Sequence, residues 1–210
     1  VKAGLPRLHA VTDERIARHP DLTARVAALA GTGGRLALHA RGRGLTGLEH
    51  YELACLLSHH PSGRSQSPRV PVIVNDRLDV ALAVGADGVQ LARGSLRVAD
   101  ARALGPRWWI GRSVHDLAAA EAARAEGADY LVVGPVFATT THPGAAPLGL
   151  EAFGRIAALG LPAIAIGGVT PERVRAVREA GAWGVAAIRA LWDAAEPAAA
   201  ARAMLEALEA

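Results

Sequence analysis

Cysteine is almost missing from these 210 residues: Cys55 stands alone. No internal disulfide and no zinc site built on cysteine pairs can form. That usage suits a reducing compartment, and a cytoplasmic location is expected. Lysine is scarcer than the charge suggests, because Lys2 is the one lysine among 23 lysines and arginines. A P-loop, a Schiff-base aldolase and a pyridoxal enzyme of the usual kind each need a loop or pocket lysine, so these are excluded. Aromatics make up 4% of the chain, and the arginines are scattered among 20 acids with no basic run. The net charge of +3 therefore does not point to nucleic acid, and no recognition helix is visible. No run of about 18 apolar residues occurs, so no membrane span is expected. The start, VKAGLPRLHAV, lacks the apolar core of a signal peptide. HExxH and other paired-histidine metal spacings are absent too.

What is present is a regular alternation. Short apolar runs lie at Leu8–Thr12, Arg35–Arg41, Pro71–Asp76, Gly88–Leu91, Trp108–Val114, Tyr130–Phe137, Pro162–Gly168 and Gly184–Ile188. Bounded by turn residues, they read as buried parallel strands. Helical stretches are predicted near 20–30, 45–58, 77–84, 97–104, 116–126, 149–159, 171–180 and 197–209. A phrase recurs as VGADGV at 84–89, EGADYL at 126–131 and AGAWGV at 180–185, each a glycine after a helix with a strand soon following. Eight strand–helix units predict an α/β fold, a (β/α)8 TIM barrel, as one domain over residues 1–210. A doubly wound open sheet is the alternative, weakened because no GxGxxG follows the first strand. The Ser/Pro/Arg-rich stretch at 59–70 reads as a loop.

In such a barrel the strands' C-terminal ends carry the site. Nearly every run ends in polar or glycine residues. On the second strand Leu36 and Leu38 alternate with Ala37, His39 and Arg41, which points His39 and Arg41 inward near the mouth. The plainer alternatives are a satisfied core histidine and an arginine paired with an acid. Gly168, after AIAIGG, can bring its N–H to an anion, and Arg189 adds charge after the eighth strand, where barrels often bind phosphate. Asn75–Asp76 suits a cation held with phosphates, or a helix cap. The Thr139–Thr141 loop offers hydroxyls, or plain polar filling. His19, His50, His59 and His60 are expected on the surface. His115 follows Ser113 on one side of its segment, or simply begins the next helix.

Taken together, VNDRLDVALAVGADGVQL at 74–91, GRSVH at 111–115, ADYLVVGPVFATTTH at 128–142 and AIAIGGVTPERV at 165–174 resemble the thiamin phosphate synthase/TenI superfamily. The resemblance runs from LHAVTD at 8–13 to GVAAIRALWDAAEP at 184–197. It implies a (β/α)8 barrel, a homodimer and a role in thiamin biosynthesis. One branch joins hydroxymethylpyrimidine pyrophosphate to thiazole phosphate with Mg2+; the TenI-like branch aromatises a thiazole carboxylate phosphate by proton transfer without metal. Both imply a thiazole phosphate held by backbone N–H groups at Gly168, Ile188 and Arg189. The synthase pattern places Arg41, Arg43, Asn75, Ser113, Thr139 and Thr141 on phosphate or substrate, with Asp76 on the metal. Against that pattern, Ser95 replaces a second aspartate, His142 a lysine, His39 a glutamine and Arg189 a serine. VQLARGSL at 89–96 and GRSVH look closer to the TenI-like branch, although Pro135 stands where that branch can carry a histidine. The expected function is the tautomerase, with His39 and His142 moving the proton and no cofactor. The alternatives are the Mg2+-dependent synthase and a non-catalytic barrel that binds thiamin intermediates. The expected partner is a small phosphorylated substrate, not nucleic acid or membrane.

Overall fold

Strand parity decides what faces where. In a computed structural model describing residues 4–59, 69–139, 144 and 146–210, the apolar runs become eight short parallel strands. These are β1 (Leu8–Val11), β2 (Leu36–Ala40), β3 (Val72–Asn75), β4 (Gly88–Leu91), β5 (Trp109–Val114), β6 (Tyr130–Val133), β7 (Ala163–Ile166) and β8 (Gly184–Ala187). Each pairs with the next and β8 pairs with β1, so the sheet closes into a barrel with no edge. On β2, Leu36 and Leu38 join the outer core under the helices, while Ala37 joins an inner cluster with Val11, Ile73, Tyr130, Val132, Ile164 and Ala186. The parallel strands are buried on both faces, which explains their near-continuous apolar sequences.

The helices form the outer ring. Among the described residues they are α1 (Glu14–Ala17), α2 (Leu22–Ala30), α3 (Gly47–Ser58), α4 (Leu78–Ala83), α5 (Val98–Leu104), α6 (Leu117–Ala125), α7 (Gly149–Ala157), α8 (Pro171–Glu179), α9 (Arg189–Trp192) and α10 (Pro197–Glu209). α3 starts on a capping box: the Thr46 hydroxyl accepts from the Glu49 N–H, and the Glu49 carboxylate accepts from the Thr46 N–H. α1 and α9 are not among the predicted helices, because four residues are too few to show a helical period. α1 forms because Asp13 caps it, accepting from the Ile16 N–H at 2.9 Å. Among the described residues no helix is long and apolar enough to cross a membrane.

The recurring phrase has a structural job. Gly85, Gly127 and Gly181 all take positive φ (61°, 84° and 96°), the left-handed turn that ends a helix and favours glycine. Two residues on, Asp87 and Asp129 each clamp the start of an adjoining strand. Asp87 Oδ2 accepts from the Val72 N–H and Asp129 Oδ2 from the Ile110 N–H, both at 2.8 Å. The third copy has Trp183 there and keeps only the backbone bond that all three copies make, its N–H donating to the Ala163 carbonyl at 2.9 Å.

Candidate active site

Two adjoining cavities open where the strands end. The first, about 560 Å³, is cationic: Arg41, Arg43 and Arg93 line it beside His50, Asn75, Asp76 and Ser113. Arg41 is half-buried at the end of β2. The Thr12 hydroxyl holds its backbone by accepting from the Arg41 N–H at 2.9 Å. Burial, and then the neighbouring Arg43, lower the Arg41 pKa, and Glu14, Asp13 and Asp76 only partly oppose them. Among the described residues no carboxylate stands within ion-pair distance of Arg41, Arg43 or Arg93. Arg77 also lines the cavity, but Asp79 already holds its guanidinium through bonds of 2.9 and 2.6 Å. A cluster of partnerless guanidinium groups around a concavity suits a multiply charged anion.

Asp76 sits at the rim with a left-handed φ of 62°. Its Oδ1 accepts from the Ala92 N–H at 2.8 Å and from the Ser95 hydroxyl, leaving Oδ2 without a hydrogen bond among the described residues. No group of three or more His, Cys, Asp or Glu side chains able to hold a metal occurs among the described residues. This donor set does not fit a resident divalent ion, which needs six oxygens and more than one half-engaged carboxylate. A Mg2+ ion here would depend on the oxygens of a bound polyphosphate and water, with Asp76 its protein ligand.

The second cavity, about 390 Å³, is of another kind, bounded by Thr139, Gly167, Gly168, Ile188 and Arg189. Here the donors are backbone. The N–H groups of Gly168, Arg189 and Ala190 have no protein acceptor among the described residues. Arg189 opens α9, and its side chain is exposed. Gly168 takes φ 65°, and a Cβ there would lie 2.6 Å from the Ala138 carbonyl oxygen. Only glycine fits. Arg173, on α8, braces this turn by donating to the Gly168 carbonyl at 2.7 Å, with its guanidinium 4.8 Å from the centre of the Phe137 ring. Converging N–H groups at a tight turn suit a phosphate monoester. His115, Gly134, Ile166 and Ile188 line both cavities.

The histidines fall differently from the sequence reading. His39 forms part of the first cavity's floor and is only 1% exposed, not a mobile group at the mouth. Its Nε2 lies 2.8 Å from His9 Nδ1, and its Nδ1 lies 3.3 Å from the Asn75 amide. Burial first, then His9, push its pKa well below the usual imidazole value. His9, fully buried beneath it, is lowered to about 4, again by burial. His50, expected on the surface, is 5% exposed, and its ring Nε2 bonds the Ala40 carbonyl at 2.9 Å. His115 does not simply begin the next helix: its Nδ1 donates to the Gly134 carbonyl on the wall between the cavities. Ser113 accepts from the Gln90 amide at 2.9 Å. Thr141 and His142 lie outside the described residues.

The buried histidines set a pH dependence of stability. His9 binds its proton with a pKa near 6.5 when unfolded and about 4 when folded. The unfolded chain therefore takes up more protons as pH falls from about 6.5 to about 4, and stability drops across that window. Urea unfolding should lose at least about 2 kcal/mol between pH 7 and pH 4.5, since each pKa unit is worth about 1.4 kcal/mol. A His9→Phe variant should show a flatter profile.

Comparison with known proteins settles the family. A family model described as thiamine monophosphate synthase matches residues 8–191. The chain belongs to that family. A thiamine-phosphate synthase of Methanoculleus marisnigri is 43% identical over 203 residues, covering 94% of this chain and 92% of its own. One from Salinispora tropica is 42% identical over 214 residues, covering 98% and 99%. Among solved structures, a thiamine phosphate pyrophosphorylase from Pyrococcus furiosus superposes with a TM-score of 0.80 at 32% identity, covering 97% and 95%. These relatives of the thiamine monophosphate synthase family bear transferase names. The expectation that the chain stands nearest the TenI-like tautomerase branch finds no support in them.

Proposed function

We propose that this barrel is a thiamin phosphate synthase, joining a hydroxymethylpyrimidine pyrophosphate to a thiazole phosphate and releasing pyrophosphate. The observation that carries this reading is the pair of anion-suited cavities with a common wall. A tautomerase needs one phosphate site; a coupling enzyme needs two, with the reacting ends meeting between them. The thiazole phosphate is held by the N–H groups at Gly168, Arg189 and Ala190, near Ile188 and Thr139. The pyrophosphate lies against Arg41 and Arg43, with Asn75 and Ser113 near the ring. The bond from the pyrimidine methylene carbon to the pyrophosphate oxygen breaks, leaving a pyrimidine cation. The thiazole nitrogen then forms the new C–N bond with its lone pair. Arg41 and Arg43 face the negative charge that grows on the leaving oxygen, where fixed charges lower a barrier most. Pro135 carries no titratable group, so no proton transfer is available at the position where the TenI-like pattern can place one.

The test is a thiochrome fluorescence assay with both substrates, with Mg2+ or with EDTA. Thiamin phosphate should form with Mg2+ and disappear with EDTA. Ser95→Asp should lower the half-saturating Mg2+ concentration about tenfold, because it brings a second carboxylate beside Asp76. No thiamin phosphate under any metal condition would overturn the proposal.

A further inference from the structure

Beneath the first cavity lies a line of polar groups with no part in anion binding. His9 Nε2 sits 3.0 Å from the Pro6 carbonyl, which can only accept, so this nitrogen carries a proton and donates. In a neutral imidazole the other nitrogen, Nδ1, is then a bare acceptor. His39 Nε2, 2.8 Å away, must donate to it. That leaves His39 Nδ1 bare and accepting. The Asn75 amide stands 3.3 Å from it, through the position assigned to Oδ1. Two acceptors cannot bond. The oxygen and nitrogen of an amide exchange by a half-turn, and the protons below decide which one belongs there. Asn75 must present its NH2 group downward and its carbonyl oxygen upward.

The surroundings keep both rings neutral. His9 packs against the Tyr130 ring, 5.8 Å between centroids, and against His39 at 5.0 Å. The charged group that acts on His39 from the mouth side is Arg41, which disfavours a further proton. No carboxylate bonds either ring among the described residues.

We propose that His9 and His39 form a positioning relay that fixes the Asn75 carbonyl oxygen toward the mouth, where it selects a heteroaromatic ring bearing an amino group. The relay stands on the hydrogen-bond pattern; the identity of the ring, an aminopyrimidine, rests on the synthase reading. A ring with an N–H donor meets an acceptor. One with a carbonyl in that place meets a lone pair and is rejected. His9 touches no substrate; it acts through His39 and then Asn75.

Two measurements test this. Long-range proton–nitrogen NMR of the full chain between pH 6 and 8 should show both rings as neutral Nε2–H tautomers. An Nδ1–H tautomer on either ring, or titration in that range, overturns the relay. Calorimetry then compares the pyrophosphates of the 4-aminopyrimidine and of its 4-oxo analogue. The wild type should prefer the amino ring by at least about tenfold, as buried polar sites reject a mismatched partner strongly. In His9→Phe, His39 loses its acceptor, and the preference should collapse. His9→Gln, which restores an acceptor, should recover it. Equal binding of the two rings by the wild type, or an unchanged preference in a folded His9→Phe, overturns the selection. If neither ring binds while the Nε2–H tautomers are present, the relay is supported and the synthase reading fails.

Discussion

Replacing Arg41 by alanine should weaken inorganic pyrophosphate binding by about 30- to 1000-fold, or about 2–4 kcal/mol, the usual cost of truncating a half-buried charge on an anion. The size follows from its place. Its guanidinium is half-buried with no carboxylate within ion-pair distance among the described residues, and its pKa is lowered by that burial and by Arg43. An anion in the cavity relieves both. Arg77→Ala, in the same cavity, should change affinity less than about threefold, since exposed pairs contribute little and Asp79 already holds that guanidinium. Isothermal titration of both variants separates a specific contact from general positive potential. Equal effects, or none for Arg41, would remove Arg41 from the anion site.

The second large effect is expected from Gly168→Ala. A methyl group here meets the Ala138 carbonyl oxygen at 2.6 Å and Cβ of Phe137 at 2.8 Å. The backbone has to move, and a left-handed φ adds about 1–2 kcal/mol of strain for a residue with a side chain. Thiazole phosphate affinity should fall at least about tenfold, because N–H groups aimed at one phosphate lose their bonds with small displacements. The melting temperature should also fall by about 2–8 °C, from 1–2 kcal/mol in a chain of this size. Pyrophosphate binding in the first cavity should stay within about twofold, because Gly168 lines the second cavity and not the first. Titration with each ligand in turn gives the contrast. Matching losses at both cavities would show that the wall between them had collapsed.

Much of this was legible in residue order. The eight runs announced the strands, and alternation on one of them placed Leu36 and Leu38 outside and Ala37 inside. His50 is buried, not on the surface, and the helical pattern carries the reason. It begins the buried stripe His50, Leu53, Ala54, Leu57 of α3, spaced as one helical face. A polar residue at the head of an apolar stripe reads as exposed by its type and as buried by its position, and position decides. The alternation turns His39 inward, as the structure has it, but does not show that the ring is buried. What disarms it is His9, thirty positions earlier, and β1–β2 register is a tertiary fact. His9 itself sits in LHAV with apolar neighbours on each side, which marks a buried strand without showing which face is polar. His115 escaped because its bond to Gly134 depends on how two strand exits meet.

The wall formed by His115, Gly134, Ile166 and Ile188 has a consequence for turnover. A molecule assembled across it fills both cavities at once, so on the proposed reading the finished product competes with each substrate separately. Of the two anion sites it keeps a charged group only in the phosphate site, while pyrophosphate departs from the other on its own. A stable analogue tethering the two halves gains from the effective concentration that the first bound half confers on the second. Such a compound, keeping both the pyrophosphate and the phosphate groups that the true product cannot carry together, should inhibit at concentrations far below either half alone.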